Sequence, residues 1–372
     1  MKTSTKIWIG IIVLIVVIIF LQFSLTGNAV KDENIKIGFS GVLTGEAVIY
    51  GQSGLAATEL AVNEQNANGG INGMKIELIV EDDKLSSFES VNIFNKFINL
   101  DNVDAIIITS GSGPTAAAVP ISQANEIPTI VTIGSAPKIT KTGDYIFRTY
   151  PSDSIQGDYG AGVIFNELGK KKVAMIYVKT DWGEGIKDVF KDKYEGLGGE
   201  LVYESGVLQS EDDFRTEITK VKQSGAEALY IPLYPINLVA ILNQAKEMNL
   251  DIPMLGADAS DGDQGVLDVG EGYMYTVVKV DSSEEFRSKL RAIKGFENLN
   301  PNVAAPVSYD GAKILFLAIE KVGTDPQKLR DELAKTSYQG ISNFIEFDEN
   351  GDLKNAHFET KIIKNKEAIH FI

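Results

Sequence analysis

Ile35-Lys36-Ile37-Gly38-Phe39 is a short apolar run, followed by a helix-periodic segment from Gly51 to Asn66 and a second apolar run from Lys75 to Val80. Short apolar runs bounded by turn residues read as buried strands, and strand, helix, strand is the repeating unit of a parallel sheet. Outward from this stretch the rhythm continues with a helix from Ser87 to Leu100, a strand from Asp104 to Thr109, a helix from Pro114 to Asn125, a strand from Thr129 to Ile133 and a helix from Asp153 to Leu168. The pattern then restarts. Lys172 to Val178 reads as a strand, Trp182-Gly183-Glu184-Gly185 opens a helix to Leu197, and strands follow at Glu200 to Gly206, Ala228 to Ile231, Pro253 to Gly256 and near Tyr273 to Val278. Helices from Phe214 to Gln223 and from Asn237 to Met248 separate them. Two successive series of this kind predict two lobes, each a parallel sheet covered by helices on both faces.

The remainder does not form a third lobe. Ser283 to Ile293, Ala304 to Val322 and Pro326 to Lys335 read as helices with no strand between them, so they cover a sheet built elsewhere. Phe344 to Phe347, Phe358 to Ile363 and Ala368 to Phe371 read as closing strands around the turn Asp348-Glu349-Asn350-Gly351-Asp352. The expected fold is α/β: two doubly wound parallel-sheet lobes joined by a multi-crossing hinge. Residues 31–150 and 280–343 form lobe 1 in this reading, and 151–279 and 344–372 form lobe 2. A cleft between such lobes is a favoured place for a small ligand.

The N-terminus is different in kind. After Lys2 and Lys6 the chain is apolar from Ile7 to Leu21, continuing through Gln22-Phe23-Ser24-Leu25. This is the basic and apolar pattern of an export signal, long enough to border on a spanning helix of ~20 residues. Residues 1–30 are therefore expected to be a signal peptide, cut near Ala29 in Gly27-Asn28-Ala29, or a membrane anchor held by residues 7–25. In both cases the rest of the chain is extracytoplasmic, because the lysines stay inside.

Composition removes several classes of function. With 35 Lys and Arg against 51 Asp and Glu, the net charge is −16, which repels phosphate backbones and argues against nucleic-acid binding. There is no cysteine, so disulfides, thiolate zinc sites, iron–sulfur clusters and a lipidated N-terminal cysteine are excluded. The only histidines, His357 and His370, lie in the last sixteen residues, a poor basis for a catalytic pair in the body of the fold.

Motif by motif, little chemistry emerges. Gly111-Ser112-Gly113-Pro114-Thr115-Ala116 follows a strand and opens a helix, as in dinucleotide sites, but the next strand ends in Ile133-Gly134-Ser135 with no acid to hold a ribose. Two readings remain: Ser112 caps the helix, or the helix start and the Ser112 and Ser135 hydroxyls form a compact anion site suited to a carboxylate. Asp348, Asn350, Asp352 and Glu359 have calcium-loop spacing, yet Leu353 stands where that loop needs glycine, so a hairpin turn is expected. Asp258, Asp261 and Asp263 cluster after a strand with no standard metal spacing. No cofactor, metal or catalytic residue is expected.

Taken in order, a series of short motifs resembles the branched-chain amino-acid (Leu/Ile/Val) binding proteins of ABC transporters, which have the type I periplasmic binding protein fold. The motifs are Ile35 to Gly45, Tyr50-Gly51, Asn63-Glu64, Gly69-Gly70-Ile71-Asn72-Gly73, Glu81-Asp82-Asp83, the Ser112 turn, Ser135-Ala136-Pro137, Phe147-Arg148-Thr149, Asp181 to Gly185, and Phe347-Asp348 to Gly351-Asp352. The resemblance implies that Ser112 and Ser135 hold a ligand carboxylate and that the carbonyl of Ile133 or Gly134 helps hold an ammonium. It implies further that Asp258 pairs with that ammonium and that Tyr50, Trp182 and Tyr234 pack over the ligand. From the residues alone, Asp258 also reads as a solvated loop acid and Trp182 as a core or hinge residue. Ser110-Gly111 puts small residues where a leucine binder needs an apolar wall, which leaves a larger or more polar amino acid, or a short amide, open. The expected function is capture of an amino acid for delivery to an ABC permease, with a ligand-sensing ectodomain as the alternative.

Overall fold

The computed structural model describes residues 34–371 apart from 46 and 281. The expected signal or anchor, residues 1–30 with the run 7–25 and the cleavage point near Ala29, lies outside the described residues. Among the described residues, no helix is long and apolar enough to cross a membrane.

The first sheet comprises β1 (Ile35–Gly41), β2 (Ile76–Asp82), β3 (Ala105–Thr109), β4 (Thr129–Val131) and β5 (Ile146–Arg148), all parallel, in the order β2-β1-β3-β4-β5. Strand β3 shows why these residues are strands. Ile107 packs with Ile37, Phe39 and the helix residues Leu315 and Ile319 on one face, while Ile106 and Ile108 pack with Phe94, Phe97 and Val119 on the other. A fully buried isoleucine contributes about 1.5–3 kcal/mol, more than the ~1 kcal/mol spanned by strand propensities, so burial on both faces decides the conformation. The covering helices are α1 (Val48–Ala67), α2 (Ser87–Lys96) and α3 (Ser112–Ala124).

The second sheet has the order β14-β13-β10-β9-β8-β6-β7. Strands β6 (Lys172–Val178), β7 (Glu200–Val207), β8 (Ala228–Ile231), β9 (Met254–Gly256) and β10 (Met274–Val278) are parallel. Strands β13 (Phe358–Lys364) and β14 (Glu367–His370) add an antiparallel edge. Its helices are α4 (Asp153–Gly162), α5 (Asp181–Gly196), α6 (Arg215–Ser224), α7 (Pro235–Glu247) and the short α8 (Gln264–Val269). Helices α9 (Glu284–Arg291), α10 (Ala304–Val322) and α11 (Pro326–Leu333) return to the first lobe, where Leu290 packs on Ala57 and Leu60 of α1.

One expected boundary moves. Strand β12 (Phe344–Glu346) pairs with β11 (Ser337–Gln339) in a separate ribbon, and Ile345, Phe347 and Leu353 join the first sheet's core. Residues 344–353 therefore stay with lobe 1, and not with lobe 2 as the run of closing strands suggested. The reason is a charge: fully buried Arg148 of β5 donates from Nε to Asp352 at 2.8 Å, and its backbone N–H donates to the Gly351 carbonyl. The turn is a hairpin, with Asp348 Oδ1 accepting from Asn350 and Asp352 N–H groups.

The chain thus crosses between lobes around 149–152, 279–283 and 354–357. At the crossings Tyr150, Val278 and Val307 form a small apolar cluster with Phe358 packed against it.

Candidate ligand site

Each lobe begins with the same device. Tyr50-Gly51 opens α1, and a Cβ on Gly51 would fall 2.0 Å from the Val42 carbonyl at the end of the first strand; Trp182-Gly183 opens α5, and a Cβ on Gly183 would fall 2.1 Å from the Val178 carbonyl. Each glycine lets its helix seat on a strand end, and the aromatic before it is turned to the space between the lobes.

Both aromatics line one cavity of about 680 Å³ between the lobes, within the ~300–1,000 Å³ typical of small-molecule sites. Ser112, Ile133, Ser135, Tyr234 and Asp258 also line it, so seven of the eight residues singled out from the sequence meet there. Gly134 does not. Its carbonyl accepts from Arg148 Nη1 at 3.0 Å, while Ile133 faces the cavity. Trp182 and Tyr234 stack with centroids 5.0 Å apart and planes 16° from parallel, so Trp182 serves both the second lobe's core and the cavity wall. Pro235 at the first position of α7 sets the rigid turn that presents Tyr234.

Ser112 is not a helix cap. Gly111 occupies the cap position, and the Ser112 Oγ accepts from the Ser135 and Ala136 N–H groups, each at 3.1 Å. Those bonds use the hydroxyl's two acceptor positions and leave its proton as a donor. The first-turn N–H groups of α3 lie beside it.

Across the cavity stands Asp258, whose Oδ2 accepts from the Tyr150 hydroxyl at 2.6 Å. Burial pushes the Asp258 carboxyl above its ordinary range, and no Lys or Arg is among the cavity-lining residues described. Burial, with the Asp258 carboxylate second, raises the Tyr50 and Tyr150 phenols, so both remain protonated donors. The neighbouring acids are already satisfied: Asp261 pairs with Lys361 at 3.0 Å and accepts from the Tyr275 hydroxyl, and Asp263 caps α8 through the Val266 N–H. Asp258 differs from both: its partners are the Tyr150 hydroxyl, Gln156 and its own turn's N–H groups, none of them a cation, and burial raises its carboxyl.

A family model for periplasmic binding proteins matches residues 34–361. The chain belongs to this family. A leucine-, isoleucine-, valine-, threonine- and alanine-binding protein of Pseudomonas aeruginosa is 28% identical over 350 residues, covering 91% of this chain and 93% of its own. The Leu/Ile/Val-binding protein of Escherichia coli K12 is 27% identical over 351 residues, with the same coverage of both chains. Among solved structures, a branched-chain amino acid transporter substrate binding protein of Streptococcus pneumoniae, in complex with isoleucine, superposes with a TM-score of 0.79 at 26% identity, over 90% of this chain and 98% of that one.

This periplasmic binding protein also lines its cavity with residues that the sequence reading passed over. Tyr150 follows Phe147-Arg148-Thr149 directly, but nothing local announces that its hydroxyl reaches Asp258. Behind the cavity lies fully buried Asp153, whose N–H donates to the Ser135 carbonyl at 2.9 Å; burial first and Asp258 second hold its carboxyl well above the ordinary range. Val42, Val48, Ile49 and Leu85 form an aliphatic wall contributed by the first lobe. A wall assembled from the end of β1, the start of α1 and the turn after β2 has no periodicity to betray it.

Proposed function

We propose that this protein captures an amino acid between its lobes and delivers it to an ABC permease outside the cytoplasm, without bond chemistry. The observation that carries the reading is Asp258: a carboxylate on a cavity with no Lys or Arg in its described lining, facing a hydroxyl and helix-start site suited to an anion. A zwitterion satisfies both ends. Its carboxylate accepts from the Ser112 and Ser135 hydroxyls, and its ammonium donates to Asp258, which the Tyr150 hydroxyl orients; the Ile133 carbonyl is a second acceptor. Tyr50 and the Trp182–Tyr234 stack cover the rest of the ligand and exclude water. Contacts from both lobes to one ligand favour the closed arrangement over the open one, so binding closes the hinge. The names of the relatives support an aliphatic amino acid, and the aliphatic wall suits one. Residues 1–30 serve in this reading as export signal or tether.

Calorimetric titration with a panel of L-amino acids tests the proposal. Aliphatic amino acids are expected to bind saturably, and Asp258→Asn to weaken them at least about thirtyfold, the loss expected when one partner of a buried charge pair is removed. Absence of binding by any amino acid overturns the function. Unchanged affinity in Asp258→Asn overturns the site.

A further inference from the structure

The turn between β2 and α2 breaks a local rule. Lys84 and Leu85 both have left-handed backbone angles, with φ of 54° and 58°, and the Ser86 N–H donates to the Asp83 carbonyl at 2.8 Å to close the turn. Turns with two left-handed central residues normally carry Asn or Gly there, because a branched side chain is strained in that conformation. Two carboxylates hold the turn in place: Lys84 N–H donates to Asp82 Oδ1 at 2.9 Å, and Leu85 N–H to Asp83 Oδ1 at 3.0 Å. Strain kept by dedicated contacts points to a use for the side chain it places.

That side chain lies on the cavity. Leu85 lines it, and a Cβ built on Gly111, one residue before Ser112, meets one atom within 4 Å, the Leu85 Cδ1 at 2.8 Å. Leu85 therefore occupies the space that a side chain at 111 would take. Ser110-Gly111 left the apolar wall missing when the sequence was read locally; the wall comes instead from a different loop. We propose that Leu85, leaning over Gly111, sets the size of the ligand side chain that the cavity accepts. This rests on the amino-acid reading above and deepens it.

Two substitutions push the cavity in opposite directions. Leu85→Ala enlarges it, whereas Gly111→Ala narrows it by displacing Leu85 Cδ1. Gly111 has φ of −63°, which alanine adopts without strain. Calorimetry on the full exported chain with alanine, valine, leucine and phenylalanine reads the result. Leu85→Ala is expected to shift the phenylalanine-to-valine affinity ratio upward by about tenfold, and Gly111→Ala to shift it downward, a methylene or two of fit being worth that much. Leu85→Gly supplies a check on folding: it is expected to raise the melting temperature of the unliganded protein by relieving the backbone while shifting selectivity as Leu85→Ala does. Binding by the unsubstituted protein with selectivity unchanged in all three variants overturns the role of Leu85. No amino-acid binding by the unsubstituted protein overturns the underlying function and this inference with it.

Discussion

Asp83 shows how one residue links the strand end, the strained turn and solution behaviour. It is fully buried, and its Oδ2 lies 3.5 Å from the Ser40 hydroxyl while its Oδ1 holds the Leu85 N–H. Burial pushes its carboxyl up to about 6, against the hydrogen bonds from Ser110, Leu85 and Ser40 that lower it. A raised native pKa means that the folded state binds the proton more tightly than the unfolded chain, whose value is about 3.9. Its contribution is therefore fully present below about pH 4 and is lost as pH rises through about 6, on the order of 2–3 kcal/mol in all. Asp83→Asn keeps the acceptor for Leu85 but removes the titration. Urea denaturation from about pH 4 to about pH 7 is expected to show a smaller decline in stability for Asp83→Asn than for the unsubstituted protein; equal declines would show that Asp83 does not titrate there. Tyr150 makes a related point: its aromatic body belongs to the hinge cluster while its hydroxyl serves Asp258, so hinge and site share one side chain.

At the scale of elements, legibility followed length and burial. The sequence reading matches the structure residue for residue at β6 (Lys172–Val178), β8 (Ala228–Ile231) and α10 (Ala304–Val322), each with a run or face that is mostly apolar and buried. Strand β5, Ile146–Arg148, escaped because three residues carry no period and one is a fully buried arginine. That arginine is held inside by Asp352, which pairs with its guanidinium and accepts from Nε, and by the Gly134 and Ala136 carbonyls, which accept from Nη1. Removing its ion-pair partner exposes a buried charge, so Asp352→Ala is expected to cost about 3 kcal/mol in chemical denaturation and to loosen 344–353 from the first lobe. A loss below about 1 kcal/mol would mean that the two carbonyls suffice.

At the scale of the whole molecule, the described residues form two lobes that also meet outside the hinge. One such contact is the ion pair between Lys138 Nζ, in the loop after β4, and Asp181 Oδ1, in the first turn of α5, at 2.6 Å. Both side chains are part-exposed, so the bridge is worth only about 0–1 kcal/mol and is screened by salt. Lys138→Gln is accordingly expected to change ligand affinity less than about fivefold and to flatten its dependence on salt between about 0.05 and about 0.5 M NaCl; a larger change would make the bridge a principal determinant of closure. From the sequence alone came the two-lobed α/β class and seven residues that meet at one cavity, because strand burial and helix periodicity are local and motif order is written along the chain. Only the tertiary structure decided that Ile133 and not Gly134 faces the cavity, that 344–353 stays with the first lobe, that Tyr150 serves Asp258 and that Leu85 supplies the missing wall. Each of those depends on residues far apart in sequence that meet through packing, where no periodicity or spacing carries a signal.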